Sequence, residues 1–168
     1  MEIAEARAEY LVALVSKYVE QDSRILEVGC REGDNLVSLW NAGFTNLLGL
    51  ESSAEKVRTF ENRHPDIAER VGVTEGPIEE AVRGLEDAAF DLVFTVGFLF
   101  DRTGGYDWLF PELARLTGRH LIAVEDERSG SLTGVLVQLG LKEVESEDLR
   151  EKKGLDSVFT VRVFERTP

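Results

Sequence analysis

Apolar residues follow two alternating patterns along this chain. One has the spacing of an amphipathic helix and occurs at 3–18, 34–42, 53–63, 77–84, 107–116 and 132–139. The other is a short, mostly apolar run bounded by turn residues, found at 24–28, 46–51, 71–75, 90–96 and 120–125. Apolar runs that alternate with helical segments indicate parallel strands in a sheet that helices cover on both faces.

Two more strand patterns, at 141–144 and 158–164, flank the polar stretch 145–156 without a helix between them. We therefore expect the last strand to run antiparallel at the edge of the sheet. The predicted fold class is α/β, a Rossmann-like, mostly parallel seven-stranded sheet with helices on both faces and an antiparallel C-terminal edge strand. The length of 168 residues predicts one domain, 1–168, because domains cluster near roughly 100–150 residues.

The loop at residues 27–33 carries the clearest chemical signal of the sequence. It follows the first predicted strand and precedes a helix, where backbone N–H groups meet a polar ligand in sheets of this kind. Gly29 and Gly33 allow positive φ angles and let a ligand approach the backbone. Glu51 ends the next strand roughly 20 residues later, where a carboxylate accepts hydrogen bonds from both hydroxyls of a ribose. Together, these features predict a nucleoside-type cofactor.

These residues resemble the class I S-adenosylmethionine-dependent methyltransferases. The segment ILEVGCREG is similar to the first motif of that family, acidic-x-Gly-x-Gly-x-Gly, and LLGLESS is similar to its second. The resemblance extends over most of the chain through EGPIEEA, FDLVFTVGFLF, GRHLIAVEDE and the closing pair GLKEVES and SVFTVRVFER. More narrowly, the run from strand three to strand five resembles small methylases associated with pseudaminic acid biosynthesis.

The resemblance implies S-adenosyl-L-methionine as the cofactor and a small molecule as the methyl acceptor. The implied cofactor-binding residues are Glu27, Gly29, Cys30, Arg31, Gly33, Glu51, Ser52, Gly76, Ile78, Thr95 and Gly97. Among them, Glu27 would approach the methionine amino group through water, and Glu51 would hold the ribose. Gly76 and Ile78 would border the adenine. Asp101, after the fourth strand, either accepts a proton from a hydroxyl nucleophile as a catalytic residue or is a plain turn aspartate.

Two residues depart from the family pattern. Arg31 stands at the usual position of the middle glycine, and Pro77 at a position where an acidic or small polar residue is common. We expect the Arg31 side chain to point away from the cofactor or to recruit its carboxylate; the alternative is that it blocks the methionine pocket. The direction of the Arg31 side chain thus distinguishes between two hypotheses. The leading one is a methyltransferase, and the other is a catalytically inactive cofactor-binding module or subunit. A nucleotide-binding dehydrogenase is a third hypothesis, which the spacing of the first loop disfavours.

Several candidate residues also have a purely structural reading. Glu27 can cap the N–H groups of its own loop, and Glu51 can be the N-cap of the next helix. Cys30 is interpreted as a small packed residue, because no histidine lies nearby in sequence to activate it. Glu125 and its two acidic neighbours either bind a divalent cation or form a solvated cluster, and we predict no metal site.

The composition of the chain narrows its partners and its location. The formal net charge of -13 repels phosphate backbones and anionic lipid, so we expect neither nucleic acid nor a membrane as partner. The single cysteine allows no intrachain disulfide, and the N-terminal segment lacks the pattern of a signal peptide. No apolar stretch approaches the roughly 20 residues that cross a bilayer. These features predict a cytoplasmic protein that acts on a small molecule.

Overall fold

The computed structural model describes residues 2–99, 107–126 and 132–168. Its strands are β1 (Ile25–Val28), β2 (Leu47–Glu51), β3 (Gly72–Glu75), β4 (Phe90–Val96), β5 (Thr117–Glu125), β6 (Leu141–Asp148) and β7 (Thr160–Arg166). Its helices are α1 (Ile3–Tyr18), α2 (Asp34–Asn41), α3 (Ala54–Arg63), α4 (Pro65–Ala68), α5 (Ile78–Arg83), α6 (Leu109–Leu116) and α7 (Leu132–Gln138), with a 3-10 helix at Leu149–Glu151.

One sheet holds all seven strands in the order β3-β2-β1-β4-β5-β7-β6. The strands β1 to β5 pair in parallel, and β7 is antiparallel to both of its neighbours. This arrangement confirms the predicted Rossmann-like fold. The antiparallel strand does not lie at the edge itself, because β7 pairs with β5 from His120–Glu165 to Glu125–Thr160 and leaves β6 as the edge strand.

Helices cover both faces of the sheet, as the alternation of side chains along the strands requires. On β4, Leu92 and Phe94 point to one face and belong to a core formed with α1, α2 and α3. Val93 points to the other face, where the core is completed by α5, α6 and α7. The longest described helix, α1, has 16 residues, and no described helix is long and apolar enough to cross a membrane.

The C-terminal region differs from its prediction at the end of the sixth strand. Strand β6 continues to Asp148, four residues beyond its predicted end at 144, and the 3-10 helix follows directly. Side-chain partners on other elements fix these acidic positions in the strand. The Tyr10 hydroxyl donates to Oε2 of Glu147 over 2.6 Å, and Arg162 donates to Oε2 of Glu143 over 2.6 Å. These partners lie on α1 and β7, so the sequence of the segment alone does not reveal them.

Candidate functional site

The loop after β1 is attached to the end of β2 by backbone hydrogen bonds. The N–H groups of Gly29 and Cys30 both donate to the carbonyl of Leu50, over 2.9 and 3.0 Å. Gly29 and Gly33 have φ angles of 77° and 76°, in the left-handed region that glycine adopts without steric cost. Because β1, β2 and β4 are parallel neighbours in the centre of the sheet, their carboxyl ends meet at this loop.

Glu51, the last residue of β2, holds three loops together. Its carboxylate is buried and accepts hydrogen bonds from the backbone N–H of Arg31 at 2.8 Å and of Ser53 at 2.9 Å. Its backbone carbonyl accepts from the N–H of Gly76 at 3.0 Å. The N-cap of α3 is Ser53, whose hydroxyl accepts from the N–H of Lys56, so that helix does not need Glu51 as its cap.

The carboxyl group of Glu27 is buried, and only one of its two oxygens has a hydrogen-bond partner among the described residues. The side chain is only 1 % exposed, and its Oε1 accepts a hydrogen bond from Nδ2 of Asn35 over 2.7 Å. Its Oε2 is buried and has no hydrogen-bond partner within the described ranges. Burial raises the pKa of Glu27 to about 8, against the opposing effects of Asn35 and of the positive Arg31.

The start of α2 explains the role of Asn35. The N-cap position is occupied by Gly33 in a left-handed conformation, and neither Asp34 nor Asn35 provides a side-chain cap. The Asn35 amide is turned towards Glu27 instead. A buried carboxyl group is a stronger attraction for the amide than a helix end that solvent can reach.

A cavity of about 460 Å³ lies beside Glu27. Its walls come from α1, from the loop after β1 and from the segment 149–159. Four predicted site residues line it: Glu27, Gly29, Cys30 and Arg31. New wall residues that the sequence did not indicate include Arg7, Tyr10, Leu155 and Phe159. The cavity therefore extends from the glycine loop towards the first helix and the last strand.

Arg31 spans the gap between the loops after β1 and β4. Its backbone is left-handed, with a φ angle of 53°, and its Nη2 donates to the carbonyl of Gly97 over 2.7 Å. The side chain thus points across to the loop after β4 and not outward; the other arrangement that we expected, in which it recruits the carboxylate of the cofactor, stays a prediction. The space above Gly29 is also filled, since a Cβ there would lie 2.2 Å from Cδ2 of Phe98. The close approach that Gly29 permits is used by an aromatic ring of the chain itself.

The family model described as methionine biosynthesis protein MetW matches residues 7–126, which is well over half of the chain. This chain belongs to the MetW family. The match covers most of α1, the glycine loop and the strands β1 to β5, and it includes every predicted site residue. The narrower resemblance to methylases of pseudaminic acid biosynthesis stays a prediction. None of the curated proteins matches the sequence.

Solved structures show the same fold as this MetW-family chain at low sequence identity. A putative sarcosine dimethylglycine methyltransferase from Galdieria sulphuraria has a TM-score of 0.76 and 12% identity, covering 96% of this chain and 86% of that one. An S-adenosylmethionine-dependent methyltransferase from Mesorhizobium loti has a TM-score of 0.72 and 13% identity, covering 97% and 100%. A geranyl diphosphate C-methyltransferase from Streptomyces coelicolor A3(2) has a TM-score of 0.74 and 12% identity, covering 97% of this chain and 77% of that one. The fold is that of the class I S-adenosylmethionine-dependent methyltransferases.

Glu125 is a buried residue beside the loop after β4, whereas its sequence context allowed either a cation ligand or part of a solvated acidic cluster. It ends β5, is buried, and its Oε1 accepts from the backbone N–H of Phe98 over 3.1 Å. Burial raises the pKa of Glu125 to about 7, against the opposing effect of the nearby Thr95 hydroxyl. No cluster of metal-ligating side chains occurs in the described part of the chain. The sequence did contain a pattern that points to Glu125. A carboxylate ends β5, just as Glu27 lies next to the end of β1 and Glu51 ends β2.

The cavity is not lined by the other described candidates, which are Gly33, Glu51, Ser52, Gly76, Ile78, Thr95 and Gly97. A Cβ built on Gly76 would meet no atom of the described residues within 4 Å, so open space adjoins the end of β3. Ser52 is exposed beside it, whereas the Ile78 side chain is buried in the core. Cys30 is buried, which raises the pKa of its thiol and agrees with its reading as a packed residue. Asp101 lies outside the described residues.

Proposed function

We propose that this MetW-family chain transfers a methyl group from S-adenosyl-L-methionine to a small molecule. The observation that carries the proposal is the buried Oε2 of Glu27, which has no hydrogen-bond partner among the described residues and lies on the wall of a cavity that adjoins the glycine loop. An orphaned buried acceptor costs about 1–3 kcal/mol, which a cationic donor on a ligand recovers. The amino acid end of S-adenosyl-L-methionine carries such a donor, its ammonium group.

The residues at the methionine end fit the cofactor. Glu27 accepts a hydrogen bond from the ammonium group, directly or through water, while Asn35 keeps the carboxylate in position by its bond to Oε1. Gly29, Cys30 and Gly33 shape the loop, and the bonds to Leu50 fix it against β2. The ring of Phe98 has to rotate away from Gly29 before a ligand can approach the backbone there.

The nucleoside end of the cofactor is proposed to lie over the ends of β2 and β3. Each carboxylate oxygen of Glu51 already accepts one backbone N–H and retains a lone pair for a ribose hydroxyl. Ser52 is exposed next to it, and the open space at Gly76 leaves room for the adenine. The buried Ile78 contributes its backbone at the start of α5 rather than its side chain.

The acceptor is proposed to occupy the part of the cavity that lies towards α1 and β7. Tyr10, Leu155 and Phe159 provide apolar surface there, and a volume of about 460 Å³ suits a small molecule. The net charge of -13 disfavours nucleic acid as the acceptor. The family name, which refers to methionine biosynthesis, also points towards small-molecule metabolism, in agreement with the cytoplasmic location that we propose.

Catalysis is proposed to rest on positioning. The cofactor supplies a methyl group that is already activated on a sulfonium centre, so the protein needs chiefly to align an acceptor atom with it. Thr95 and Gly97, in and after β4, border the passage between the two parts of the site. Asp101 remains our candidate for removing a proton from a hydroxyl acceptor.

A second candidate function is a cofactor-binding module without catalysis. The specific observation in its favour is that Arg31 and Phe98 fill the space between the loops after β1 and β4. A module of this kind would bind S-adenosyl-L-methionine or S-adenosyl-L-homocysteine and would not consume it. The two functions differ only in turnover, so they are separated by an assay of methyl transfer.

Calorimetry of the purified protein with S-adenosyl-L-methionine, S-adenosyl-L-homocysteine and NAD tests the binding step. We expect both sulfur compounds to bind and NAD not to bind. Turnover is then measured by incubation with methyl-labelled S-adenosyl-L-methionine below saturation and a size-filtered metabolite extract, with Glu51→Ala as the control of weakened cofactor binding. Label in the small-molecule fraction that depends on Glu51 supports methyl transfer. Tight binding of NAD alone would refute the assignment.

A further inference from the structure

Arg31 brings a positive charge into the centre of the proposed cofactor site. The loop that carries it is fixed by the bond from its backbone N–H to Glu51, and its guanidinium is fixed by the bond to the Gly97 carbonyl. A Cβ built on Gly97 would lie 3.5 Å from Nη2 of Arg31 and 2.9 Å from the ring of Phe159. The guanidinium is therefore held between the two loops that border the cavity.

Two buried carboxyl groups lie within the electrostatic reach of this guanidinium. The positive charge of Arg31 lowers the pKa of Glu27 and that of Glu125, although burial raises both overall. The two groups belong to β1 and β5, which β4 separates in the sheet. In a chain with a net charge of -13, the exposed Arg31 thus brings a positive charge to the wall of this cavity.

We propose that Arg31 is a specificity-determining residue, which stands where a cationic ligand centre would be received and makes the site favour the neutral thioether over the sulfonium form of the cofactor. The inference rests on the proposed function, since it concerns ligands of the same site. Its basis is the hydrogen bond from the guanidinium to the Gly97 carbonyl and the position of Arg31 beside Glu27 on the wall of the cavity.

The charge difference between the two ligands makes the proposal testable. S-adenosyl-L-methionine and S-adenosyl-L-homocysteine share the adenosine and the amino acid end, and they differ in a methyl group and in one positive charge at sulfur. Arg31 repels only that charge, so it affects the two affinities unequally. If Arg31 instead acted by reducing the space at the site, it would weaken the binding of both ligands. The ratio of the two dissociation constants therefore isolates the effect of the charge.

The test compares wild type, Arg31→Gln and Arg31→Lys by calorimetry with both ligands. Gln removes the charge, whereas Lys retains it. We expect wild type to bind S-adenosyl-L-homocysteine more tightly, and Arg31→Gln to shift the ratio of dissociation constants by about fivefold towards S-adenosyl-L-methionine, as expected for two like charges about 4 Å apart that solvent can reach. Arg31→Lys keeps the wild-type ratio within about twofold by the same reasoning.

Arg31→Gly provides a second neutral variant in case Gln impairs folding, because glycine adopts the left-handed backbone of position 31 without strain. Ala88→Gly is its matched control, since Ala88 has nearly the same φ angle, 52°, in the turn before β4. We expect the ratio to shift in Arg31→Gly and to stay constant in Ala88→Gly. An unchanged ratio in both neutral Arg31 variants overturns this inference alone. If neither ligand binds wild type or any variant, both this inference and the proposed function are wrong.

Discussion

The backbone N–H of Arg31 donates a hydrogen bond to Oε2 of Glu51 over 2.8 Å and thereby joins the loop after β1 to the end of β2. The other oxygen of Glu51 accepts from the N–H of Ser53. One buried carboxylate thus supports the loop and, in our proposal, also receives the ribose. Both roles are lost together when the carboxylate is removed.

We predict that Glu51→Ala lowers the free energy of unfolding by about 1–3 kcal/mol, because two partly buried N–H groups lose their acceptor. It should also weaken binding of S-adenosyl-L-homocysteine by about 1–3 kcal/mol for the same reason. Urea denaturation and calorimetry measure the two effects. The matched control is Glu61→Ala, on the exposed side of α3. An effect on binding without one on stability would show that the support of the loop is unimportant.

Glu125 supports the loop after β4 in the same way. We predict that Glu125→Ala reduces the free energy of unfolding by about 1–3 kcal/mol, since it leaves the N–H of Phe98 without its acceptor. Glu125→Gln, which retains an acceptor oxygen, should lose less. Thermal and urea denaturation measure both variants beside Glu165→Ala, a change at an exposed position of β7. Equal loss in the Ala and Gln variants would contradict a role based on this hydrogen bond.

The sequence was sufficient to predict the sheet and the ends of its central strands. The spacing of Glu27, the glycine loop and Glu51 predicts that they lie close together, because parallel neighbouring strands bring successive strand ends to one edge of the sheet. The structure confirms this order of elements and places the Arg31 backbone against Glu51. What the spacing predicted was the meeting of loops and not the direction of each side chain.

The side-chain contacts that the sequence did not reveal join residues far apart in the chain. Arg31 reaches Gly97, 66 positions away, and Phe98 lies over Gly29. Both contacts depend on the pairing of β1 with β4, which brings their following loops together. Asn35 similarly leaves its local role at the start of α2 for a buried partner on β1. Local propensity does not contain this information, because tertiary contacts decide between the alternatives.

The packing of Phe98 on Gly29 gives a direct mutational test. We predict that Gly29→Ala lowers the free energy of unfolding by about 2–4 kcal/mol, of which about 1–2 kcal/mol comes from the left-handed backbone alone. The rest arises because the new Cβ would overlap the Phe98 ring, 2.2 Å away. Gly154→Ala isolates the backbone contribution, since position 154 has a φ angle of 92° and no described atom within 4 Å of a Cβ.

A double-mutant cycle with Phe98→Ala identifies the clash. In the Phe98→Ala background, Gly29→Ala should cost about 1 kcal/mol less than in wild type, because the ring that the Cβ would meet is absent. Urea denaturation of the four proteins provides the values. Additive costs would mean that the ring moves aside without penalty and that the strain is confined to the backbone.

The raised pKa of Glu27 predicts a dependence of stability on pH. A carboxyl group whose pKa rises to about 8 on folding contributes its stability below the unfolded value of 4.5 and loses it as the pH rises towards 8. Glu27→Gln cannot ionise. We therefore predict that this variant gains stability relative to wild type between pH 5 and 8, by up to about 1.4 kcal/mol per pH unit. Urea denaturation at several pH values, with Glu61→Gln as the exposed control, measures the difference; a constant difference would contradict the raised pKa.

The same group predicts that cofactor binding releases a proton. Near pH 7, Glu27 is mostly protonated because its pKa is about 8, but it has to be ionised to pair with an ammonium group. The affinity for S-adenosyl-L-homocysteine should therefore rise between pH 6 and 8, by up to about tenfold per pH unit. Glu125 titrates in the same range, with a pKa of about 7, but is present in wild type and in Glu27→Gln alike.

Calorimetry in two buffers of different ionisation enthalpy counts the protons released on binding. In wild type at pH 7 we expect up to about one proton to be released per bound ligand, because Glu27 loses its proton when its carboxylate pairs with the ammonium group. Glu27→Gln should bind more weakly and should lack the part of the pH dependence that belongs to this carboxyl group. If wild type and Glu27→Gln release the same number of protons, the ammonium group is held elsewhere, and Glu27 then serves only to keep Asn35 and the glycine loop in place.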